Sequence, residues 1–208
     1  MNDLPRQRTG RWAGFDDLPS SDDLALARSM VAAFDPAEEV QWRHREDVLT
    51  FIDEHDDALH RSCLPGHLTG SAWVVDHRAE RGLVLHHAKI QMWVQPGGHA
   101  DGEADLARVA LTEASEETGI EGLEVWTVPV DVDIHLFVNR KPGSTEPDHL
   151  HLDLRFLVRA PEGAVAVRNH ESEALRWITD DELDDPALSL DESTRRLARR
   201  GFGLARSL

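Results

Sequence analysis

Alternating apolar and polar positions predict a strand over residues 149–158. The sequence HLHLDLRFLV places Leu150, Leu152, Leu154 and Phe156 on one face and polar side chains on the other. Shorter runs bounded by turn residues predict further strands at 69–76, 82–87, 92–94, 123–127, 132–139 and 173–178. The chain therefore has enough strands for a sheet with helices packed on it, which is an α/β fold.

A helix is predicted after a glycine-rich turn at residues 96–98. Four small or apolar residues recur at the spacing of one helix face, namely Ala107, Ala110, Leu111 and Ala114. Gly119 follows where a left-handed residue commonly ends a helix. The small side chains favour close packing of this helix against the sheet.

The remaining pattern divides the chain into three segments. Residues 1–20 are polar and contain Pro and Gly, so we expect a flexible tail. Residues 21–65 carry two amphipathic stretches and predict a helical N-terminal extension. Residues 66–208 hold the strands, the central helix and a closing helix over 191–204, and we expect them to form the main domain.

Charge and composition narrow the possible partners. Lys and Arg number 22 against 39 Asp and Glu, a net charge of −17, which disfavours nucleic acid or an anionic membrane as the partner. The single cysteine, Cys63, excludes an internal disulfide. No apolar run reaches the length of a membrane span, and residues 1–20 lack the apolar core of a signal peptide, so we expect a cytoplasmic protein.

Three carboxylates lie close together on the predicted central helix. Glu113, Glu116 and Glu117 stand at i, i+3 and i+4, where like charges repel, and no Lys or Arg follows at a neutralising spacing. An acidic helix face in water is one interpretation. The other is a site for a hard divalent cation, which binds carboxylate oxygens. The preceding glycines allow close backbone approach and favour the cation site.

This stretch resembles the signature of the Nudix hydrolases: Gly, five residues, Glu, seven residues, then Arg-Glu-apolar-x-Glu-Glu-x-Gly-apolar. The chain matches it at Gly98, Glu113, Glu116, Glu117 and Gly119. It departs at Ala104, where the family has its first Glu, and at Thr112, where the family has Arg. In the family those two residues brace the loop against the helix. Here we expect Arg108 to replace that brace by contacting Asp101, Glu103 or Asp105.

The resemblance implies a fold, a mixed-sheet α/β/α sandwich. It also implies a hydrolytic activity. The implied activity is hydrolysis of a diphosphate bond in a nucleoside diphosphate linked to another group, with Mg²⁺ or Mn²⁺ as cofactor. The implied metal ligands are Glu113, Glu116, Glu117, the carbonyl of Gly97 or Gly98, and Glu171. Glu171 enters because an acidic residue six positions before a strand Trp, here Trp177, often faces this helix in the family. Glu113, Glu117 and Glu171 are the implied catalytic residues, with Glu117 or Glu171 as the base and Glu173 as the substitute for Glu171.

Several polar residues are candidates for substrate contacts. The polar face of the 149–158 strand and the positions flanking the glycine-rich turn supply His151, Asp153, Arg155, Lys89, His87 and His99. A His/His/Asp zinc or iron site on the same strand is a competing interpretation. We rank it lower, because side chains at consecutive same-face positions of a strand are expected to diverge.

Two other function classes stay open. A degenerate Nudix module would bind a nucleotide or nucleotide derivative without cleaving it, and the residues at 104 and 112 are its support. An isomerase of the isopentenyl-diphosphate type shares the fold, but it uses a Cys in the stretch corresponding to 96–99, and this chain has none there. The expected partner is a small nucleotide-like molecule. A homodimer is one option for assembly, and the sequence does not identify the substrate.

Overall fold

The computed structural model of the protein describes residues 10–138 and 147–208, and over this range it forms a mixed α/β fold. The strands are β1 (Trp12–Ala13), β2 (Gly66–Val75), β3 (Arg81–His87), β4 (Met92–Val94), β5 (Gly97–His99), β6 (Glu124–Trp126), β7 (Asp131–Phe137), β8 (His149–Arg159) and β9 (Ser172–Thr179). The α-helices are α1 (Leu24–Ala33), α2 (Glu39–Glu54), α3 (Leu106–Thr118) and α4 (Glu192–Ala205). None of the described helices is long and apolar enough to cross a lipid bilayer.

The sheet is organised around the parallel pair β2 and β8. Their register runs from Gly66 opposite Leu150 to Val75 opposite Arg159. β2 is buried along its whole length, as expected for a parallel strand covered on both faces. The other pairings are antiparallel: β3 and β5 lie along β2, β6 and β7 lie along β8, β1 pairs with β6, and β4 and β9 pair with β3. The sheet is therefore mixed, as the resemblance implies.

Helices cover both faces of the sheet. Leu152, Leu154 and Phe156 of β8 belong to the core that includes the apolar face of α3. On the opposite face Trp73 of β2 packs edge-to-face on Phe202 of α4, with 5.4 Å between ring centroids. The alternation predicted for residues 149–158 is thus confirmed, and it explains why the polar side chains of β8 lie on the side of α4.

The glycine-rich segment differs from its prediction. The sequence predicts a turn at 96–98, but residues 97–99 form strand β5, antiparallel to β2. A Cβ on Gly97 would lie 2.2 Å from Ser71 Oγ, so a glycine is needed for the strand to run this close to β2. The acidic residues that follow Thr179 predict a helix start, and a 3-10 helix, Asp180–Asp184, forms there. The sequence also predicts a loop over 140–148, most of which lies outside the described residues.

Residues before β2 pack against the main domain. The two predicted N-terminal helices are observed as α1 and α2, both of which contribute to the core beneath α3. In the segment predicted as a tail, residues 1–9 lie outside the described range. Trp12 and Ala13 pair with β6, where the Trp12 and Trp126 rings meet edge-to-face at 5.5 Å.

A buried ionic network joins α2 and α4 to the sheet. Asp131 on β7 is fully buried and accepts hydrogen bonds from Gln41 Nε2 at 2.7 Å and Arg196 Nε at 3.1 Å. Arg155 Nη1 of β8 lies 3.4 Å from the second oxygen of Asp131, and its Nη2 lies 3.2 Å from Asp133. Buried charges are tolerated only when they are paired and hydrogen-bonded. This network therefore fixes the helices at defined positions on β7 and β8.

We expect Asp131→Asn to destabilise the protein, because it leaves two buried guanidinium groups with less compensating charge. The loss in the free energy of unfolding should be about 3 kcal/mol, measured by urea denaturation. Asp184→Asn is the matched control, since Asp184 pairs with Arg199 on the surface and should change stability little. Equal effects of the two changes would contradict a structural role for the network.

Candidate active site

Helix α3 positions Glu113 and Glu117 next to β5, and defined caps fix both of its ends. Asp105 caps its start by accepting hydrogen bonds from the backbone N–H groups of Ala107 and Arg108 at 3.1 and 3.2 Å. Gly119 ends it with a positive φ of 62°, the left-handed cap that the sequence predicts. The apolar face of α3 packs on β2 and β8, and this packing turns Glu113 and Glu117 towards β5.

Glu113 and Glu117 lie directly against the glycine strand. Glu117 is buried, and its Oε2 accepts a hydrogen bond of 2.9 Å from the backbone N–H of Gly97. The carboxylate of Glu113 lies over Gly98, where an added Cβ would be 2.3 Å from Glu113 Oε1. Glu116 is exposed. A side chain at position 98 would therefore displace the Glu113 carboxylate from its present place over β5.

Burial and mutual repulsion raise the pKa values of both glutamates. Burial is the main cause of the rise in the pKa of Glu113 to about 7, and Glu116 and Glu171 add to it. Burial also raises the pKa of Glu117 to about 8, opposed by the Gly97 hydrogen bond and reinforced by Glu113 and Glu171. These carboxylates repel one another, and a bound divalent cation would reduce the repulsion.

Glu171, which the resemblance proposes as a ligand or base, lies just before β9 and is partly exposed. Its carbonyl accepts a hydrogen bond from Ala88 N at 2.9 Å, which attaches its backbone to the end of β3. Burial and the charge of Lys89 lower the pKa of the nearby His87, and Glu171 opposes that shift. Glu171, His87 and Lys89 are thus neighbours at this edge. Glu173 instead bonds His86 and Gln91 at the surface.

The donor set on α3 and β5 fits a hard divalent cation. It consists of carboxylate and backbone oxygens, the ligands that Mg²⁺ and Mn²⁺ prefer. Arg61 is the basic residue whose charge acts on Glu113, and it is already bound through two hydrogen bonds of 2.7 Å to Asp101. The Arg61 charge is therefore shared with Asp101, and ionisation of Glu113 and Glu117 places negative charge where the backbone is close.

The polar face of β8 separates into two parts. Asp153 and Arg155 are buried, and Asp153 accepts hydrogen bonds from Ser71 Oγ at 2.8 Å and Thr69 Oγ1 at 3.0 Å. Arg155 Nε lies 2.6 Å from Asp153 Oδ2, and the rest of its guanidinium is held by Asp131 and Asp133. Both residues therefore lie inside the structure on the side of α4. Direct contact with a substrate remains an untested prediction for them.

His149 and His151 lie at the other end of the strand, where they meet two more histidines. One ring nitrogen from each of His67, His99, His149 and His151 lies within 4.8 Å of all the others. Burial lowers the pKa of His99 to about 4 and that of His151 to about 2, so both rings are neutral at pH 7. His67 is not among the candidates predicted from the sequence. It joins the group because β2 and β8 pair in parallel with His67 opposite His151.

Comparison with known proteins adds the deciding observation. The model of the NUDIX domain matches residues 67–200, which is more than half of the chain. The chain belongs to the Nudix family. This confirms the resemblance and the mixed α/β fold.

Two solved hydrolase structures are similar to this chain, and the one with a TM-score above 0.5 supports the fold. The C. elegans Ap4A hydrolase, in a binary complex, is 16% identical, with 68% of this chain and 98% of that chain covered at a TM-score of 0.52. The E. coli dihydroneopterin triphosphate pyrophosphohydrolase is 18% identical over 64% of this chain and 92% of that chain, at a TM-score of 0.49. At these identities the likeness concerns the fold. A comparison with curated proteins gives no significant match.

The two departures from the Nudix signature have a local explanation in this chain. Ala104 is fully buried, and its N–H donates a hydrogen bond of 2.6 Å to the carbonyl of Ser21, so the N-terminal extension occupies the space around it. Glu103 takes the adjacent position. Its Oε1 accepts from Ser21 N at 3.0 Å and Asp105 N at 2.9 Å, and its Oε2 lies 3.6 Å from Arg108 Nε. The expected contact between Arg108 and a loop acid is confirmed, with Glu103 as the acid.

The raised pKa of Glu117 predicts a pH dependence of stability in metal-free protein. Because the folded state holds this proton more tightly than the unfolded state, its contribution is present below pH 4.5 and is lost as pH rises to about 8. Glu117→Gln keeps an acceptor for Gly97 N–H but cannot ionise. We expect the variant to be more stable than the parent by on the order of 2 kcal/mol at pH 8 and by little at pH 5.

Urea denaturation in the presence of a chelator measures this difference. Glu121→Gln, at an exposed position just after α3, is the control and should follow the parent at both pH values. Parallel pH profiles for the parent and Glu117→Gln would show that the Glu117 carboxylate does not carry the strain.

The substitute brace gives a separate prediction. Arg108→Met keeps an apolar stem but loses the ion pair with Glu103 and the hydrogen bond of 2.6 Å to the Leu18 carbonyl. We expect a loss of about 1 kcal/mol in the free energy of unfolding. Arg28→Met is the control, because it breaks the exposed Arg28–Asp53 pair and should cost less. A smaller effect at 108 than at 28 would argue against a brace.

Proposed function

We propose that this Nudix protein hydrolyses a diphosphate bond in a nucleoside diphosphate linked to another group, with Mg²⁺ or Mn²⁺ as cofactor. The observation that carries the proposal is the placement of buried Glu117 and half-buried Glu113 directly against the two glycines of β5. Two carboxylates with pKa values near 7 and 8 cost stability in the absence of a cation. A bound cation would offset this cost, because it would pair with the ionised carboxylates of Glu113 and Glu117.

The proposed ligands are Glu113, Glu116, Glu117 and Glu171, with the carbonyl of Gly98. The cation, when bound, would offset phosphate charge and lower the pKa of a coordinated water. Glu117 is buried and already bound to Gly97 N–H, which suits a fixed ligand. Glu113 lies over Gly98 and would share the same ion. Glu116 is exposed and would complete the site from the solvent side.

Glu171 is the better candidate for the base. A base must reach the water that it deprotonates, and Glu171 is partly exposed while Glu117 is not. Its carboxylate also acts electrostatically on both helix glutamates, which supports a position at the same site. In this proposal Glu171 accepts a proton from the attacking water, and Glu117 and Glu113 keep the site charged and rigid.

Substrate phosphates would be bound mainly at the β3 edge. Lys89 is exposed and neighbours Glu171 and His87, so its ammonium can meet an anion without displacing a buried partner. His87 is the second candidate at this edge. Arg155 is less suited, because its guanidinium is already shared by Asp131, Asp133 and Asp153.

A module that binds a nucleotide without cleaving it is the competing function. The altered positions 104 and 112 are its support. The substitute contacts of Glu103 weaken it, because the loop and helix remain joined without the usual Glu and Arg. A hydrolysis assay separates the two functions.

The test is a screen of nucleoside diphosphate sugars, dinucleotides and nucleoside triphosphates with Mg²⁺, with release of phosphate-containing products as readout. We expect turnover of at least one class, loss of turnover with a chelator, and a decrease of roughly 100-fold or more in kcat for Glu171→Gln. Glu117→Gln should be inactive, and Glu121→Gln should keep parental activity.

Binding of a nucleotide without turnover in the parent would favour the non-hydrolytic module. Full activity of Glu117→Gln, or activity that a chelator leaves unchanged, would contradict the proposed mechanism.

A further inference from the structure

The four-histidine group lies outside the carboxylate site and is brought together by three strands. His67 comes from β2, His99 from β5, and His149 and His151 from β8. His151 Nε2 lies 3.2 Å from His99 Nε2 and 3.2 Å from His149 Nε2. Side chains at consecutive same-face positions of a strand are expected to diverge. The histidines instead converge, because their rings tilt towards a common point near the start of β8.

These separations match the edges of a small coordination polyhedron. Zinc binds histidine nitrogen at about 2.0–2.1 Å in tetrahedral sites, which places neighbouring nitrogens about 3.3 Å apart. Two of the observed separations are 3.2 Å, and all four nitrogens lie within 4.8 Å of one another.

Hydrogen bonding alone does not account for the group. His149 Nδ1 lies 3.0 Å from the Pro147 carbonyl, which can only accept, so the proton is on Nδ1 and His149 Nε2 presents a lone pair. This is the arrangement of a histidine ligand whose second nitrogen is oriented by a carbonyl. An N–H at His151 Nε2 can donate a well-aligned hydrogen bond to only one neighbouring nitrogen. His99 Nε2 and His149 Nε2 both lie 3.2 Å from it.

His67 supplies the independent observation. It is only 2% exposed, and neither of its ring nitrogens makes a hydrogen bond of normal geometry to a described residue. The Cys63 carbonyl acts on the ring and favours its protonation, but one carbonyl can serve only one nitrogen. A buried polar atom without a partner is costly. At least one ring nitrogen of His67 therefore has no hydrogen-bond partner among the described residues, and the ring lies next to the other three histidines.

We propose that His67, His99, His149 and His151 bind a first-row transition ion, with Zn²⁺ as the best fit, at a site separate from the carboxylates of α3. Four imidazole nitrogens suit zinc and not Mg²⁺, which prefers oxygen ligands. Four protein ligands close the coordination sphere, so the role of this site is structural. The ion joins β5 to β2 and β8 through His99, one residue beyond Gly98, and thereby fixes the strand on which Glu113 and Glu117 rest.

The test uses full-length protein without a histidine tag, stripped with a chelator and reloaded with Zn²⁺ or Co²⁺ alone. Measurements are metal content after gel filtration, Zn²⁺ affinity by competition with a chromogenic chelator, and the visible spectrum of the Co²⁺ form. Variants are His67→Gln and His151→Gln. His135→Gln is the matched control, because its ring contacts His151 but lies outside the four-nitrogen group.

We expect one Zn²⁺ per chain, an intense tetrahedral Co²⁺ spectrum, and an increase in Tm with Zn²⁺. Each ligand variant should bind Zn²⁺ at least roughly 10-fold more weakly and lose the tetrahedral spectrum. His135→Gln and the inactive Glu117→Gln should retain both, which separates this site from the proposed catalytic one.

Zn²⁺ binding in the parent that is no tighter than in both ligand variants would overturn the proposal. So would loss of the tetrahedral spectrum in Glu117→Gln with no change in the ligand variants. Should His67→Gln fail to fold, His151→Gln, at the more accessible position, decides the question.

Discussion

Repulsion between carboxylates at a partly buried place is the constraint on which the site depends. Glu113 and Glu117 lie on one side of α3 against β5, and burial raises the pKa of each. A helix could relieve this strain by turning or by moving away from the sheet. The apolar face of α3, the Asp105 cap and the close fit of Gly98 beneath Glu113 hold it in place. Packing energy therefore maintains an electrostatically unfavourable arrangement, which a cation would relieve.

The N-terminal extension contributes to the same arrangement. Ser21 bonds both Glu103 and the backbone of Ala104, and Arg108 reaches back to the carbonyl of Leu18. These contacts lie at and beside Ala104, where the Nudix signature has its Glu. Loss of the signature Glu and Arg is thus compensated by a segment that precedes the Nudix domain. The N-terminal segment and the altered signature are therefore structurally linked through Ser21 and Glu103.

The parallel pairing of β2 and β8 gives the other polar features their positions. It places His67 opposite His151 and Ser71 opposite Arg155, so one face of the sheet carries histidines at one end and an ionic network at the other. Arg155, a candidate for substrate contact from the sequence, is surrounded by three aspartates. The same register brings His67 into a group that sequence spacing alone does not reveal.

The features that the sequence determined are those set by local periodicity and local spacing. The alternation over 149–158, the small-residue face of α3, its Gly119 cap and the i, i+3, i+4 spacing of Glu113, Glu116 and Glu117 each follow from neighbouring residues. Tertiary structure decided the contacts between distant segments: Glu103 with Ser21, Arg155 with Asp131, and His67 with His151. These contacts depend on which distant segments are brought together. Hydrophobic periodicity within one segment indicates which of its side chains are buried, but it does not identify the segment that they meet.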